Sequence, residues 1–332
     1  MAYPTPARSR ARFLALALAG LLAIAASPSA CAAEAQPPAA GAAPANPLWH
    51  EQKVKNYLPD MTWPEVQALL VRSDMVIIPV GALEQHSLQG PIGTDFLNST
   101  EQAKLIAQRT DVLVAPILLP GNSPYHMEFP GTITLSAETV ERVYFEAVQS
   151  LIHHGFKRFL ILNGHGGNAA TSRFIVDRIN QETSGIAVEL GEASAPYRPK
   201  AAPRAADAPP PDFDRHAGVG ETSLSLYLTP NLVNLAAARP ATLTYPAHLQ
   251  AMVPKVVAGD PTANLVFLAE TLKAKSTGKH TSTREMSATG SWSVLDPKTA
   301  TAAEGRDETE RFVASAVQFI DAWKRLRPVG TP

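Results

Sequence analysis

The sequence predicts an α/β fold, a largely parallel sheet flanked by helices, on two observations. Short runs rich in β-branched and aliphatic residues alternate with longer segments whose apolar residues recur every three or four positions, the pattern of successive βαβ units. Two apolar strand-like runs, 75–80 and 158–162, each lead into a glycine-containing polar stretch, and open parallel sheets bind their ligands at the carboxyl ends of strands. With 332 residues, 45% of them hydrophobic, the chain is long enough for one large or two small domains with a substantial core. A formal net charge of -1 gives no electrostatic support for a nucleic-acid partner.

Taken in order, the chain opens on a targeting segment. Arg8, Arg10 and Arg12 precede the apolar run 13–26, then Ser27-Pro28 and the small residues SACAA, which is the order of a secretory signal peptide over 1–33. The apolar run falls short of the roughly 20 residues of a membrane span, so no span is expected and the protein is expected to be periplasmic or secreted. Cys31, the only cysteine, leaves a lipid anchor open as the alternative, and it rules out a disulfide within the folded part. Residues 34–48 are an Ala/Pro linker. The domain proper is expected over 49–328.

Thr62 caps a short helix with Pro64 in its first turn. The strand 75–80 follows, then a helix over 96–110 and a strand over 112–119. Residues 120–136 are too rich in Pro and Gly to be regular. Ser136 begins an amphipathic helix that stops at Gly155, followed by the strand 158–162, a helix over 169–182 and a strand over 186–190. The Pro/Ala-rich stretch 196–211 reads as a flexible insertion or lid. Glu221 opens an apolar helix, 290–306 reads as a loop, and an amphipathic helix ends the domain.

Candidate chemistry concentrates after the strands. The stretch 75–95, MVIIPVGALEQHSLQGPIGTD, delivers Glu84, His86 and Asp95 into a turn-rich loop. In an extended segment residues two apart point to one side, so Glu84 and His86 can face one ion. Carboxylate and imidazole together suit a divalent metal with mixed N/O ligands, such as zinc or manganese. Taken alone, the same residues also describe a polar loop with incidental charges.

The turn NGHGGN, 163–168, lacks both the Lys-Ser/Thr of a phosphate-binding loop and the Gly-x-Gly-x-x-Gly spacing of a dinucleotide site. Its glycines instead allow close backbone approach around His165, which the fold places on the same rim as Glu84 and His86. Glu221 is either a ligand or an acid favoured by the helix dipole. His153 and His154 are explained by the end of their helix. His126, in the 120–136 loop, either touches substrate or packs on Phe129.

Four stretches in order, IPVGALEQHSLQGPIGTD, PYHMEFPGTITLS, NGHGGN and HAGVGETS, with GSWSVLDPKTATAAEGR after them, resemble the creatininase family of metal-dependent amidohydrolases. The resemblance implies one creatininase-like domain in three α/β/α layers, two divalent ions per chain, zinc or manganese, and often a homohexamer. By motif, Glu84, His86, Asp95 and His165 would be ligands. Asp95 would bridge, with Glu84 and His165 on one ion and His86 on the other. Creatininase offers a further glutamate where this chain has Gly167; relatives with NGHGGN use the glutamate of the ETS motif, here Glu221. A third carboxylate also reduces the positive excess of two ions in a partly dry site.

Two close ions would activate a shared water and polarise a carbonyl. His216, matching the family's HAG histidine, would pass a proton to the leaving nitrogen or orient a metal-bound carboxylate. The implied function is hydrolysis of a C–N amide bond in a small molecule by an exported enzyme. The alternatives are a family peptidase or deformylase, and a binding protein that has kept the fold without turnover. The tryptophans near the family's HAG motif have no counterpart here, where Asp212, Phe213 and Asp214 stand, so creatinine itself is not implied.

Overall fold

The computed structural model describes residues 52–118, 120–199, 213–245, 247–271 and 282–331. The expected signal peptide, Cys31, the Ala/Pro linker and 200–211 of the expected lid lie outside the described residues. In chain order the elements are α1 (Trp63–Leu70), β1 (Met75–Val80), α2 (Thr94–Thr110), β2 (Leu113–Val114), α3 (Ala137–His154), β3 (Arg158–Asn163) and α4 (Ala169–Glu182). Then come β4 (Ile186–Glu189), α5 (Leu190–Ser194), β5 (Asp214–His216), α6 (Val219–Leu228), α7 (Ala247–Gln250), α8 (Val253–Val257), α9 (Pro261–Thr271), α10 (Thr283–Met286), β6 (Trp292–Ser293) and α11 (Ala302–Leu326).

Four parallel strands form the sheet in the order β2-β1-β3-β4. Alternate side chains along a strand take opposite faces, and both faces are covered here. Val76, Ile78, Val80, Phe159 and Ile161 pack with Leu69 of α1, Val140, Tyr144 and Val148 of α3, and Ile175 and Ile179 of α4. Met75, Ile77, Leu160 and Leu162 pack with Ala103, Ile106 and Ala107 of α2 and with Phe312, Val313, Ala316 and Ile320 of α11. The result is the three-layer α/β/α arrangement, with both central strands buried along their length. A third apolar cluster, with Phe213, Leu249, Val256, Phe267, Met286 and Trp292, joins the two-stranded β5–β6 sheet to the helices α7–α10.

Local chemistry explains most boundaries. At α1 the Glu65 carboxylate accepts from the Thr62 backbone N–H (2.7 Å) and hydroxyl (2.8 Å). At α3 the Ser136 hydroxyl accepts from Thr139 N–H at 3.2 Å.

Three expectations are corrected. The helix expected over 96–110 starts at Thr94, so Asp95 lies in its first turn and not on a loop, where the helix dipole favours an acid. The strand expected over 112–119 is confined to Leu113–Val114. Ala115 N–H still donates to Ile77 O (2.9 Å), but Pro116 has no N–H to continue. The loop expected over 290–306 contains β6 and the first turns of α11. Thr301 and Glu304 start that helix, the Thr301 hydroxyl accepting from Glu304 N–H at 3.2 Å, a Thr-x-x-Glu cap visible in the sequence.

Candidate metal centre

β1 and β3 are neighbours, and both release their chains at the same rim of the sheet. After Val80 the chain runs through a loop held by Glu84 N–H to Ile92 O (2.9 Å) and Gly90 N–H to His86 O (3.0 Å). After Asn163 the side-chain oxygen of that residue accepts from His165 N–H at 3.1 Å. Asn168 ties the loops together: its amide donates to Gly81 O (2.8 Å) and its oxygen accepts from Asn122 N–H (2.9 Å). The NGHGGN turn thus clamps three loops around one histidine. Asp95 enters from α2, His216 from β5 and Glu221 from the first turn of α6.

The side chains converge on Asp95. His86 Nε2 lies 3.1 Å from Asp95 Oδ1, and His165 Nδ1 lies 2.9 Å from Asp95 Oδ2. His86 Nε2 is also 3.5 Å from Glu221 Oε1, and His165 Nδ1 is 3.3 Å from Glu84 Oε1. His216 Nδ1 faces Glu84 Oε1 at 3.6 Å and Glu221 Oε2 at 3.8 Å. His126 Nε2 faces Glu84 Oε1 at 3.5 Å, and its ring lies 4.4 Å from that of His216. Glu84, His86, Asp95, His126 and His165 are all buried.

Each imidazole is oriented from behind. The second ring nitrogen of His86 meets Glu84 O at 3.0 Å, that of His165 meets Asn122 O at 3.1 Å, and that of His216 meets Gln85 O at 2.8 Å. A carbonyl oxygen only accepts, so these nitrogens carry the proton and donate it. The opposite nitrogen faces the carboxylates, where a bound cation in place of a proton would take up its lone pair. Metal-ligating histidines are held in this way. Glu84 Oε2 is buried without a hydrogen-bond partner, as a carboxylate oxygen awaiting a cation would be.

The electrostatics agree with that donor set. Burial opposes charge on His86, but Glu221 and Asp95 outweigh it and hold its pKa well above the ordinary value. Burial likewise opposes charge on His165, and Glu84 and Asp95 raise it well above. Burial and the neighbouring histidines push His126 well below its ordinary value, and burial with His86 lowers His216. Asp95 is held below the usual carboxylate range: burial opposes its charge, and His86 and His165 overcome it. The carboxylates demand positive charge at the inner ring positions, and the N/O donors fit zinc or manganese. Among the described residues, Glu84–His86–Asp95, His86–His216–Glu221 and Glu84–His126–His216 are each close enough to hold an ion.

All six residues singled out from the sequence, Glu84, His86, Asp95, His165, His216 and Glu221, come together in one cluster. Glu221 is aimed rather than idle: Ala217 N–H donates to its Oε2 at 2.6 Å, leaving Oε1 toward His86. Gly167 leaves no room for a glutamate there, because a Cβ would collide with Tyr125, His165 and the Asn122 carbonyl. Four neighbours escaped the sequence reading: Gln85, Tyr125, Thr283 and Trp292. The Gln85 amide touches His126 Nδ1 and His216 Nε2, each at 3.0 Å, and Gly290, at φ +90, makes room for it. Gln85 and Trp292 lie inside the EQH and GSW segments already quoted, whereas nothing local marks Thr283, whose hydroxyl lies 2.6 Å from His126 Nδ1.

Comparison with known proteins places this arrangement. The family model Creatininase, described as creatinine amidohydrolase, matches residues 59–320. A creatinine amidohydrolase of Pseudomonas putida is 32% identical over 195 residues, covering 54% of this chain and 74% of that protein. A mycofactocin precursor peptide peptidase of Mycolicibacterium smegmatis is 27% identical over 256 residues, 75% of this chain and 85% of that protein. A solved creatininase in a manganese form superposes with a TM-score of 0.56 at 24% identity, covering 82% of this chain and 99% of that one. A mutant creatininase of zinc–zinc type gives a TM-score of 0.56 at 23% identity over 84% and 100% of the two chains. At those identities the structures establish the shared fold.

Proposed function

The chain belongs to the creatininase family, and from that membership we propose that it is an exported amidohydrolase holding two divalent ions, zinc or manganese, that hydrolyses a C–N amide bond of a small molecule. The observation that carries the reading is Asp95, with His86 Nε2 at 3.1 Å from one oxygen and His165 Nδ1 at 2.9 Å from the other. In this assignment Glu84, Asp95 and His165 would hold one ion, and His86, Asp95 and Glu221 the other. Three carboxylates against two divalent ions leave a single positive charge. When bound, the ions would supply an activated water and polarise the scissile carbonyl.

The chain's own groups do the rest. His216 is fixed by its Nε2–H to Gln85 O (2.8 Å), so Nδ1 is the atom that faces the site and moves a proton toward the leaving nitrogen. Burial, then His86, lowers its pKa. Tyr125, His126 and Trp292 wall a pocket of about 150 Å³ that also opens on Glu84, Asp95 and Glu221. A space of that size favours a small amide over a peptide segment. Export is supported by the Arg-flanked apolar run and SACAA. Assembly into a homo-oligomer is supported by the apolar groove along α1, lined by Leu58, Met61, Trp63, Val66, Leu70 and Leu118.

Elemental analysis of metal-loaded protein, joined to amide hydrolysis with and without a chelator, tests the reading. Close to two ions per chain is expected, with hydrolysis abolished by the chelator and restored by zinc or manganese. Less than half an ion per chain overturns it.

A further inference from the structure

The antiparallel β5–β6 pair departs from regular pairing at one residue. Asp214 pairs with Ser293 and His216 with Trp292. Two steps along β5 therefore oppose one along β6, and Arg215 is the extra residue of a β-bulge. In a regular strand Arg215 and His216 would point to opposite faces. Here both residues border the pocket, together with Trp292, His216 half-buried and Arg215 exposed at its mouth.

The guanidinium is held in place. One terminal nitrogen donates to Asn264 Oδ1 at 2.7 Å, and the group lies 5.8 Å from the centre of the Phe213 ring. Among the described residues no carboxylate forms an ion pair with it. Arg215 is also the one Lys or Arg among the residues lining the pocket. The carboxylates there, Glu84, Asp95 and Glu221, are turned toward the histidines.

We propose that the substrate is an amide that carries a carboxylate close to its scissile bond, and that Arg215 selects it. The proposal rests on the amidohydrolase reading above. An arginine fork binds a carboxylate through two parallel N–H donors, and Asn264 and Phe213 hold this fork before the ligand arrives. The three carboxylates and two ions of that reading leave the pocket net positive, which attracts an anion in addition. The reaction balances as water added to the carbonyl carbon with cleavage of the C–N bond: RCO–NHR′ + H2O gives RCOO⁻ and R′NH3⁺, the carboxylate of R′ passing through unchanged.

The test uses full-length, metal-loaded protein and two pairs of probes: N-formylglycine with N-propylformamide, and N-acetylglycine with N-propylacetamide. Each pair shares one amide and differs in the carboxylate. Binding by calorimetry and kcat/KM by product release are measured for wild type, Arg215→Gln and Arg215→Lys, with metal content as a control. The wild type is expected to favour the carboxylate member of a pair. Arg215→Gln should reduce that preference about 10- to 100-fold, the scale of a charged hydrogen bond, and Arg215→Lys should recover part of it.

Neutral amides hydrolysed as well as their carboxylate partners, or a preference untouched in Arg215→Gln because the metals alone hold the anion, overturns the proposal and leaves the hydrolase reading standing. Arg215-dependent binding of the acylglycines without hydrolysis of any amide overturns the hydrolase reading and leaves anion selection standing.

Discussion

Glu221 shows how one side chain separates competing roles at the residue scale. A carboxylate that merely capped α6 would need only the backbone N–H of Ala217, which it has at 2.6 Å, yet its other oxygen lies 3.5 Å from His86 Nε2. Glu221→Gln keeps the shape and removes one negative charge. One ion is expected to bind weakly, and hydrolysis is expected to fall roughly 100-fold, the upper end of what loss of metal-site support costs. His216→Ala should retain both ions and fold normally while turnover drops about 100- to 10,000-fold, as for loss of a general acid or base. Metal content and kcat measured on the same preparations distinguish the two variants. Full activity with two ions in Glu221→Gln would return that residue to helix capping.

At the scale of elements, the sheet is positioned by an anchor far from the site. Arg158, at the start of β3 and 1% exposed, donates through Nε to Asp74 Oδ1 (2.6 Å) and through a terminal nitrogen to Arg327 O (2.6 Å). It joins the lead into β1, the first residue of β3 and the end of α11. Arg158→Met preserves much of the volume and leaves the Asp74 carboxylate buried without its partner. A loss of about 3–5 kcal/mol is expected, read as a lower denaturant midpoint with an unchanged slope. A loss below about 1 kcal/mol would show that packing alone sets the strand. The short β2 belongs to the same scale: Pro116 ends an edge strand whose apolar run continues in the sequence.

For the whole molecule, the charged, apolar and small-residue order of the N-terminus predicts a mature chain that begins between Cys31 and Gln36. Mass spectrometry of protein from its native host reads this directly. A lipid-modified Cys31 would select an anchored form over a soluble one, and an intact Met1 would refute export. The four-stranded sheet has both faces covered, and the loops that carry Glu84, His86 and His165 leave it at one rim.

The fold class was legible because hydrophobic periodicity is local: six residues of β1 and most of β3 state their burial in their own composition. Glu84, His86 and His165 were legible as candidates because each follows a strand of that kind within a few residues, and Asp95 because it closes the same polar stretch. Packing decided what lies between such segments. His86 and His165 reach opposite oxygens of Asp95 only because β1 and β3 are neighbours and α2 begins two residues earlier than its pattern indicates. The collision that bars a side chain at Gly167 arises from a loop more than 40 residues away, at Asn122 and Tyr125. The bulge that sets Arg215 beside His216 at the pocket's edge has no pattern of its own. Periodicity records which face of an element is buried, whereas meeting atoms depend on how distant elements dock, and no short stretch of sequence encodes that distance.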